Sequence, residues 1–234
     1  MKKTSIIIIV TAMMLLLGMV TVVGTGVLSL PEIFKQPSLI DNFTGKVSSI
    51  QDSDYQIVVA TVNGQPITLG EINFQKAISE ANIDALERAG ISAMQLDSLT
   101  IEYPTDTTAV IEKLARDKTL ITAAQDVGIS YSDDELMQII EEEDAYMEAQ
   151  IAAGNEKMIA KAEEDAEFLS KLGITREEYN EKIYLPMLRR SMVNKEYSKY
   201  FYEHNTISYE AYQAHLDELF EAANLIIADE ELIK

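Results

Sequence analysis

Cysteine is missing from this 234-residue chain, tryptophan is missing too, and there are only two histidines. The first absence excludes disulfides, thiol nucleophiles and cysteine-ligated metals, and with them the acylated cysteine that anchors a lipoprotein. His204 and His215 have acidic residues near them, Glu203, Asp217 and Glu218. A metal site needs further convergent ligands at close spacing, and none is present, so both read as surface histidines. Basic residues are scarce as well: 19 against 39 acidic ones give a formal net charge of −20. Lys2 and Lys3 are the only charges ahead of Glu32, so the remainder is more acidic still. A body of that sign repels phosphate backbones and anionic headgroups, which excludes nucleic acid as a partner. No nucleophile elbow, zinc-protease helix, phosphate loop or dinucleotide fingerprint occurs. The runs Glu141–Asp144 and Glu163–Asp165 lack the alternating oxygens and turn glycine of a calcium loop, and read as solvated helix faces. No catalytic residue, cofactor or metal is assigned, and the chain does not read as an enzyme.

What the N-terminus does have is a long uncharged run, Ile6–Leu30, behind Lys2 and Lys3. A signal-peptide core has about 7–15 apolar residues and a small-x-small cleavage site; a membrane span needs about 20. The run is closer to the second. It has no Ala-x-Ala, although Gly24-Thr25-Gly26 or Val27-Leu28-Ser29 offers a place to cut. Either way the lysines stay inside and the body goes out of the cytoplasm. The expected setting is a bacterial cell membrane, crossed once by residues 1–30, or secretion after cleavage. Residues 31–56 carry Pro31, Pro37, Gly45 and Ser48-Ser49 and read as a linker. Residues 57–234 form the body.

The body is mainly helical in pattern. Leu69–Ala89 places Ile72, Phe74, Ala77, Ile78 and Ala81 on one face, with Gly90 as a stop. Ile91–Tyr103 is ambiguous between loop and short helix. Thr107 or Thr108 is expected to cap Ala109–Val127, with Val110, Leu114, Ile121 and Ala124 inward. Gly128 follows as a helix stop, with Ile129 closing the cap. Ser132 and Glu135 make a capping box before Leu136, Ile139 and Ile140. Further helices are expected over Ser132–Ala153, Glu156–Leu172, Arg176–Phe201 and Ser208–Ala223. Pro186 should kink or divide the third of these. The last helix turns Tyr212, Leu216, Leu219 and Phe220 inward.

Strand character appears at the two ends of the body. Val58, Val59, Thr61 and Val62 are β-branched. Asn63-Gly64 is a strong turn pair, Pro66 punctuates the strand, and Thr68 with Glu71 forms a capping box. A plain β-hairpin accounts for this stretch on local physics. Yet Ala-Thr-Val-Asn-Gly-Gln-Pro-Ile-Thr before an acidic helix start also resembles the opening of SurA/PrsA N-terminal domains, which belong to extracytoplasmic folding factors. Gly128-Ile129-Ser130 and Gly173-Ile174-Thr175, each leading into acidic residues, add to the resemblance. It implies a helical domain whose C-terminal strand, Asn224–Ala228, pairs with Val58–Val62 as a small two-stranded element, with Ile226 packing beside the first strand. Many members of the family carry a parvulin-type prolyl isomerase domain before the last helix. Between Phe201 and Ser208 there is no room for one, so isomerase activity is not expected.

Tyrosine and methionine are concentrated late: eight of eleven tyrosines follow residue 145. Both side chains suit adaptable apolar surfaces, although ordinary core filling uses them as well. Met137, Tyr146, Met147, Tyr184, Met187 and Tyr197 are the candidates for a peptide-binding cleft. The resemblance implies a membrane-tethered, chaperone-like protein that holds unfolded or secreted polypeptides, and the acidic exterior is expected to disfavour acidic clients. The alternative is a module dedicated to one partner in an envelope complex.

Overall fold

The computed structural model describes residues 37–88, 103–205 and 208–228. The Ile6–Leu30 run and the ambiguous stretch 91–102 lie outside the described residues. No helix among those described is long and apolar enough to cross a membrane.

The sheet shows how closely local chemistry dictates form here. Strand β1, Val58–Val62, turns through Asn63 (φ 50°) and Gly64 (φ 79°) into β2, Gln65–Thr68. Two consecutive positive φ angles give the twist that antiparallel neighbours need. A bulge at Val59 interrupts the pairing between Val58↔Thr68 and Ala60↔Ile67. Pro66 does not end the strand, as expected, but lies within it opposite Thr61. It is tolerated because the strand order is β2-β1-β3, and an edge strand can spare a donor on its free side. The sheet therefore has three strands rather than two. Strand β3, Leu225–Ile227, does return to β1, with Thr61 opposite Ile226.

The side chain of Ile226, however, is 53% exposed, whereas Leu225 packs against the core. Alternation along a strand sends neighbours to opposite faces, and Ile226 shares the outer face with Pro66 and Thr61. Asn63 ties the ends together. Its N–H donates to the Asn224 carbonyl (3.1 Å), and its Oδ1 accepts from the Asn224 N–H (3.0 Å). Asn63→Ala keeps the first bond, loses the second and puts in the left-handed region a residue that tolerates it less well than asparagine. It should cost about 1–2 kcal/mol, visible as a lower melting temperature. Asn63→Gly, which relieves the strain, should cost less.

Thr68 opens helix α2, Leu69–Arg88, with the expected capping box. Glu71 N–H donates to Thr68 Oγ1 (3.3 Å), and Glu71 Oε2 accepts from the Thr68 N–H (2.8 Å). Preceding the sheet is helix α1, Pro37–Ser48, followed by a 3-10 turn over Asp52–Gln56. Part of the stretch expected to be a linker is thus ordered helix. Phe43 is buried against Ala77, Ile78 and Ala81 of α2, and its ring stacks on Phe168 at 6.1 Å. Pro37 and Gly45 within this stretch, both helix-disfavouring in an interior, are what make it read as a linker.

Helix α3, Thr107–Asp126, is capped by Asp106, whose carboxylate accepts from the Thr108 and Ala109 N–H groups, rather than by a threonine. Helices α4, Asp133–Ala152, and α5, Glu156–Leu172, follow. The Gly128 and Gly173 stops are as expected: both have positive φ, and the N–H of the following isoleucine reaches back to the carbonyl of Ala124 (2.8 Å) or Leu169 (3.3 Å). The capping boxes at Ser132 and Thr175 also form.

The long helical run containing Pro186 is divided, as one of the two expected outcomes has it, and the proline sits in the first turn of the last segment. A single turn, α6 (Arg176–Tyr179), runs into a π-helical turn (Asn180–Tyr184) and then α7 (Leu185–His204). The Leu185 N–H bonds to the Asn180 carbonyl, five residues back. Widening the turn just before the ring absorbs the missing donor and the clash that proline brings. Helix α8, Tyr209–Glu221, is capped by Ser208 and leads to β3.

The inner face of the sheet, with Val59, Val62 and Ile67, packs on Ile72 of α2 and Val110 and Ile111 of α3. The C-terminal half of α3 packs against α7 and α8 through Ala124, Val193, Phe201 and Tyr212. Helix α4 joins α7 through Leu136, Ile140 and Leu188. Helix α3 is common to the first two of these cores and so holds the sheet end and the α7–α8 end together.

Candidate functional site

An open cleft of about 880 Å³ lies between the β2–α2 end of the domain and the start of α7. Phe74 and Ile78 of α2 form one wall. Leu114 and Ile121 of α3 line the middle. Met187 and Ile183 stand on the far side, brought there by the π turn and the residues after it. The rim is charged: Lys118 pairs with Glu71 (2.7 Å), Arg190 with Asp117 (2.6 Å) and Arg189 with Asp133. The Arg190 pair joins α7 to α3, and the Lys118 pair joins α3 to α2. An apolar interior with a few polar groups at its edge is the ordinary form of a ligand-binding cleft.

Of the six residues expected at a cleft, Met187 lines this one. Tyr184 lies beside it against Ile183 and Tyr179. The Tyr184 hydroxyl donates to Glu143 (2.7 Å), and its ring stacks on Tyr179 at 6.4 Å. Burial and the neighbouring Glu143 carboxylate push the Tyr184 hydroxyl far above the usual tyrosine range. Met137 packs near Tyr184 in the seam between α4 and α7. Tyr146 is exposed on α4 and Met147 half-buried on it, and neither lines the cleft. Tyr197 is a core residue, 4% exposed, its hydroxyl 2.8 Å from His215 Nε2. The six are thus not one surface.

His215 is not the free surface histidine expected, since it is half-buried and stacked on Phe201 at 5.0 Å. His204 is exposed, with Nδ1 2.8 Å from the Tyr200 carbonyl. The acidic runs are not uniformly solvated either. Asp165 is buried and lies near Lys161 (3.7 Å) and Arg176 (3.3 Å), an arrangement that fastens α5 to α6. Among the described residues no group of three or more His, Cys, Asp or Glu could hold a metal ion.

Phe74, Ile78, Leu114 and Ile121 were legible only as helix core faces. Phe74 is half-buried rather than buried, and that partial exposure is not encoded in a helical period.

Glu143 offers a pH test of the α4–α7 seam. Burial raises its carboxyl above the usual range, the Tyr184 hydrogen bond lowers it, and Asp144 raises it further; the net direction is up. The folded state therefore binds more protons than the unfolded state between the ordinary and the raised value, and stability falls as pH rises through that window. Glu143→Gln should flatten this part of the profile, read as melting temperature against pH.

The family model described as SurA-like N-terminal domain matches residues 1–193. No curated protein and no solved structure matches the chain.

Proposed function

The chain belongs to the SurA-like N-terminal domain family, and from that membership we propose that it is an extracytoplasmic, chaperone-like protein. It holds unfolded or partly folded polypeptide segments reversibly in the cleft and carries out no prolyl isomerisation. The observation that supports this reading most is the open cleft, apolar in its interior and built from α2, α3 and α7. Burial of a client's apolar side chains supplies a non-directional attraction of about 25 cal/mol per Å², which suits clients of unrelated sequence. The setting proposed is the outer side of a bacterial membrane, reached through the Ile6–Leu30 segment.

The test is an aggregation assay. The full chain, added in excess to a denatured test protein, should slow light scattering in proportion to its concentration. It should leave the cis–trans exchange of a proline peptide at its uncatalysed rate. Failure to slow aggregation at any excess, together with tight binding to one native partner from the same envelope, would replace this reading by the dedicated module. Protease applied to cells stripped of their outer layers should digest the body, and a protected body would overturn the proposed location.

A further inference from the structure

The cleft gathers positive charge in a protein that has little. Five of its lining residues are basic, on α3, the π turn and α7, against three acidic ones, in a chain of net charge −20. Three of the five are neutralised within the rim by Glu71, Asp117 and Asp133. The remaining two are Lys113 and Lys182. Lys113 is half-buried and has no ion pair or hydrogen bond among the described residues. Lys182 makes a solvent-exposed ion pair with Asp52 at 3.6 Å, in which the side chains are 54% and 94% exposed, and lies near the Glu178 carboxylate; water screens both contacts. One stands on α3 and the other on the π turn.

We infer that the cleft selects polypeptide segments in which carboxylate side chains flank apolar ones, so that Lys113 and Lys182 engage the carboxylates while Phe74, Leu114 and Met187 take the apolar groups. This rests on the holding function proposed above and gives it a client class. It also reverses the expectation that the acidic exterior disfavours acidic clients. At physiological salt the field of a distant charge fades within about 8 Å. The acidic surface beyond that range therefore acts weakly on a segment inside the cleft, and the unpaired Lys113 and the weakly paired Lys182 dominate locally. The half-buried setting of Lys113 strengthens its contact relative to a fully exposed pair, whereas Lys182, 54% exposed, contributes a screened one.

The experiment uses the full chain and three labelled peptides of one length with the same aromatic and aliphatic residues, spaced by Glu, Gln or Lys, and reads binding by fluorescence anisotropy. The Glu peptide should bind about fivefold or more tighter than the Lys peptide at low salt, with the Gln peptide between them. The preference should vanish near 1 M salt, where the Debye length is about 3 Å. The double variant Lys113→Glu, Lys182→Glu should invert the order. If that variant melts early, Lys113→Gln with Lys182→Gln serves instead and should erase the preference. Equal binding of all three peptides by the unaltered chain overturns the selection and leaves holding intact. A preference that survives both pairs of substitutions overturns the assignment to these lysines. Binding of none of the peptides overturns both the selection and the holding function.

Discussion

Ile67→Ala should lower the melting temperature by roughly 5–15 °C, while Ile226→Ala should leave it within about a degree. Emptying a fully buried isoleucine costs about 2–5 kcal/mol, and a domain of this size loses roughly 2–4 °C per kcal/mol. Ile67 is 0% exposed, packed among Val59, Val62 and Ile72, whereas Ile226 is 53% exposed on the outer face of β3. Both residues lie in the same small sheet and both are large and apolar. They lie on opposite edge strands and on opposite faces of the sheet. Ending the chain after Ala223 is a harsher change. It removes Leu225 from the core and deletes the hydrogen bonds from Asn63 N–H to Asn224 O and from Ala228 N–H to Val59 O. That variant should melt lower than wild type even though Ile226→Ala does not. If Ile226→Ala proved as damaging as Ile67→Ala, the register of β3 on β1 would be wrong by one residue, because such a slip exchanges the two faces.

The elements that were readable from the residues are those whose cause is local. Ser132 with Glu135 and Thr68 with Glu71 each satisfy helix-start donors within four residues of chain and form as expected, and Thr175 with Glu178 makes a third box of the same kind. The same holds for Gly128 and Gly173, where positive φ and the following isoleucine make the stop. The return of the C-terminal strand is long-range, and it was legible through the family resemblance rather than through periodicity. What periodicity cannot supply is the identity of the surface that a helix face meets. Helix α1 was hidden because its burial depends on partners distant in sequence, Ala77, Ile78 and Ala81 of α2 and Phe168 of α5. The Pro186 region was expected to kink or divide, and the π turn that divides it depends on how α6 packs against α5 and α7 against α4. Tyr184, Met187 and Tyr197 show the limit most plainly. All three sit on one continuous helical run, yet one is in a seam, one faces the cleft and one is core.

That last distinction predicts two different failures from two similar substitutions. Tyr197→Ser should destabilise the protein by about 3–5 kcal/mol, because the ring is 4% exposed, packs with Val193 and Phe201 and leaves His215 without its 2.8 Å partner. The melting temperature should fall by roughly 6–20 °C, and any loss of holding should follow the unfolded fraction. Met187→Ser removes a half-buried side chain that already faces the cleft. Its cost in stability should stay near 1 kcal/mol, since surface and half-exposed positions seldom exceed that. Its effect should fall on function, because an apolar side chain that lines the cleft loses its contact with the bound segment. Peptide affinity should drop by about fivefold to tenfold, about 1–1.4 kcal/mol of binding energy. Tyr146→Ser, on the exposed side of α4 and away from the cleft, should change neither quantity. Melting curves and peptide titrations on the three variants separate the cases. Loss of binding in Tyr146→Ser with full binding in Met187→Ser would move the site to α4 and overturn the assignment of this cleft.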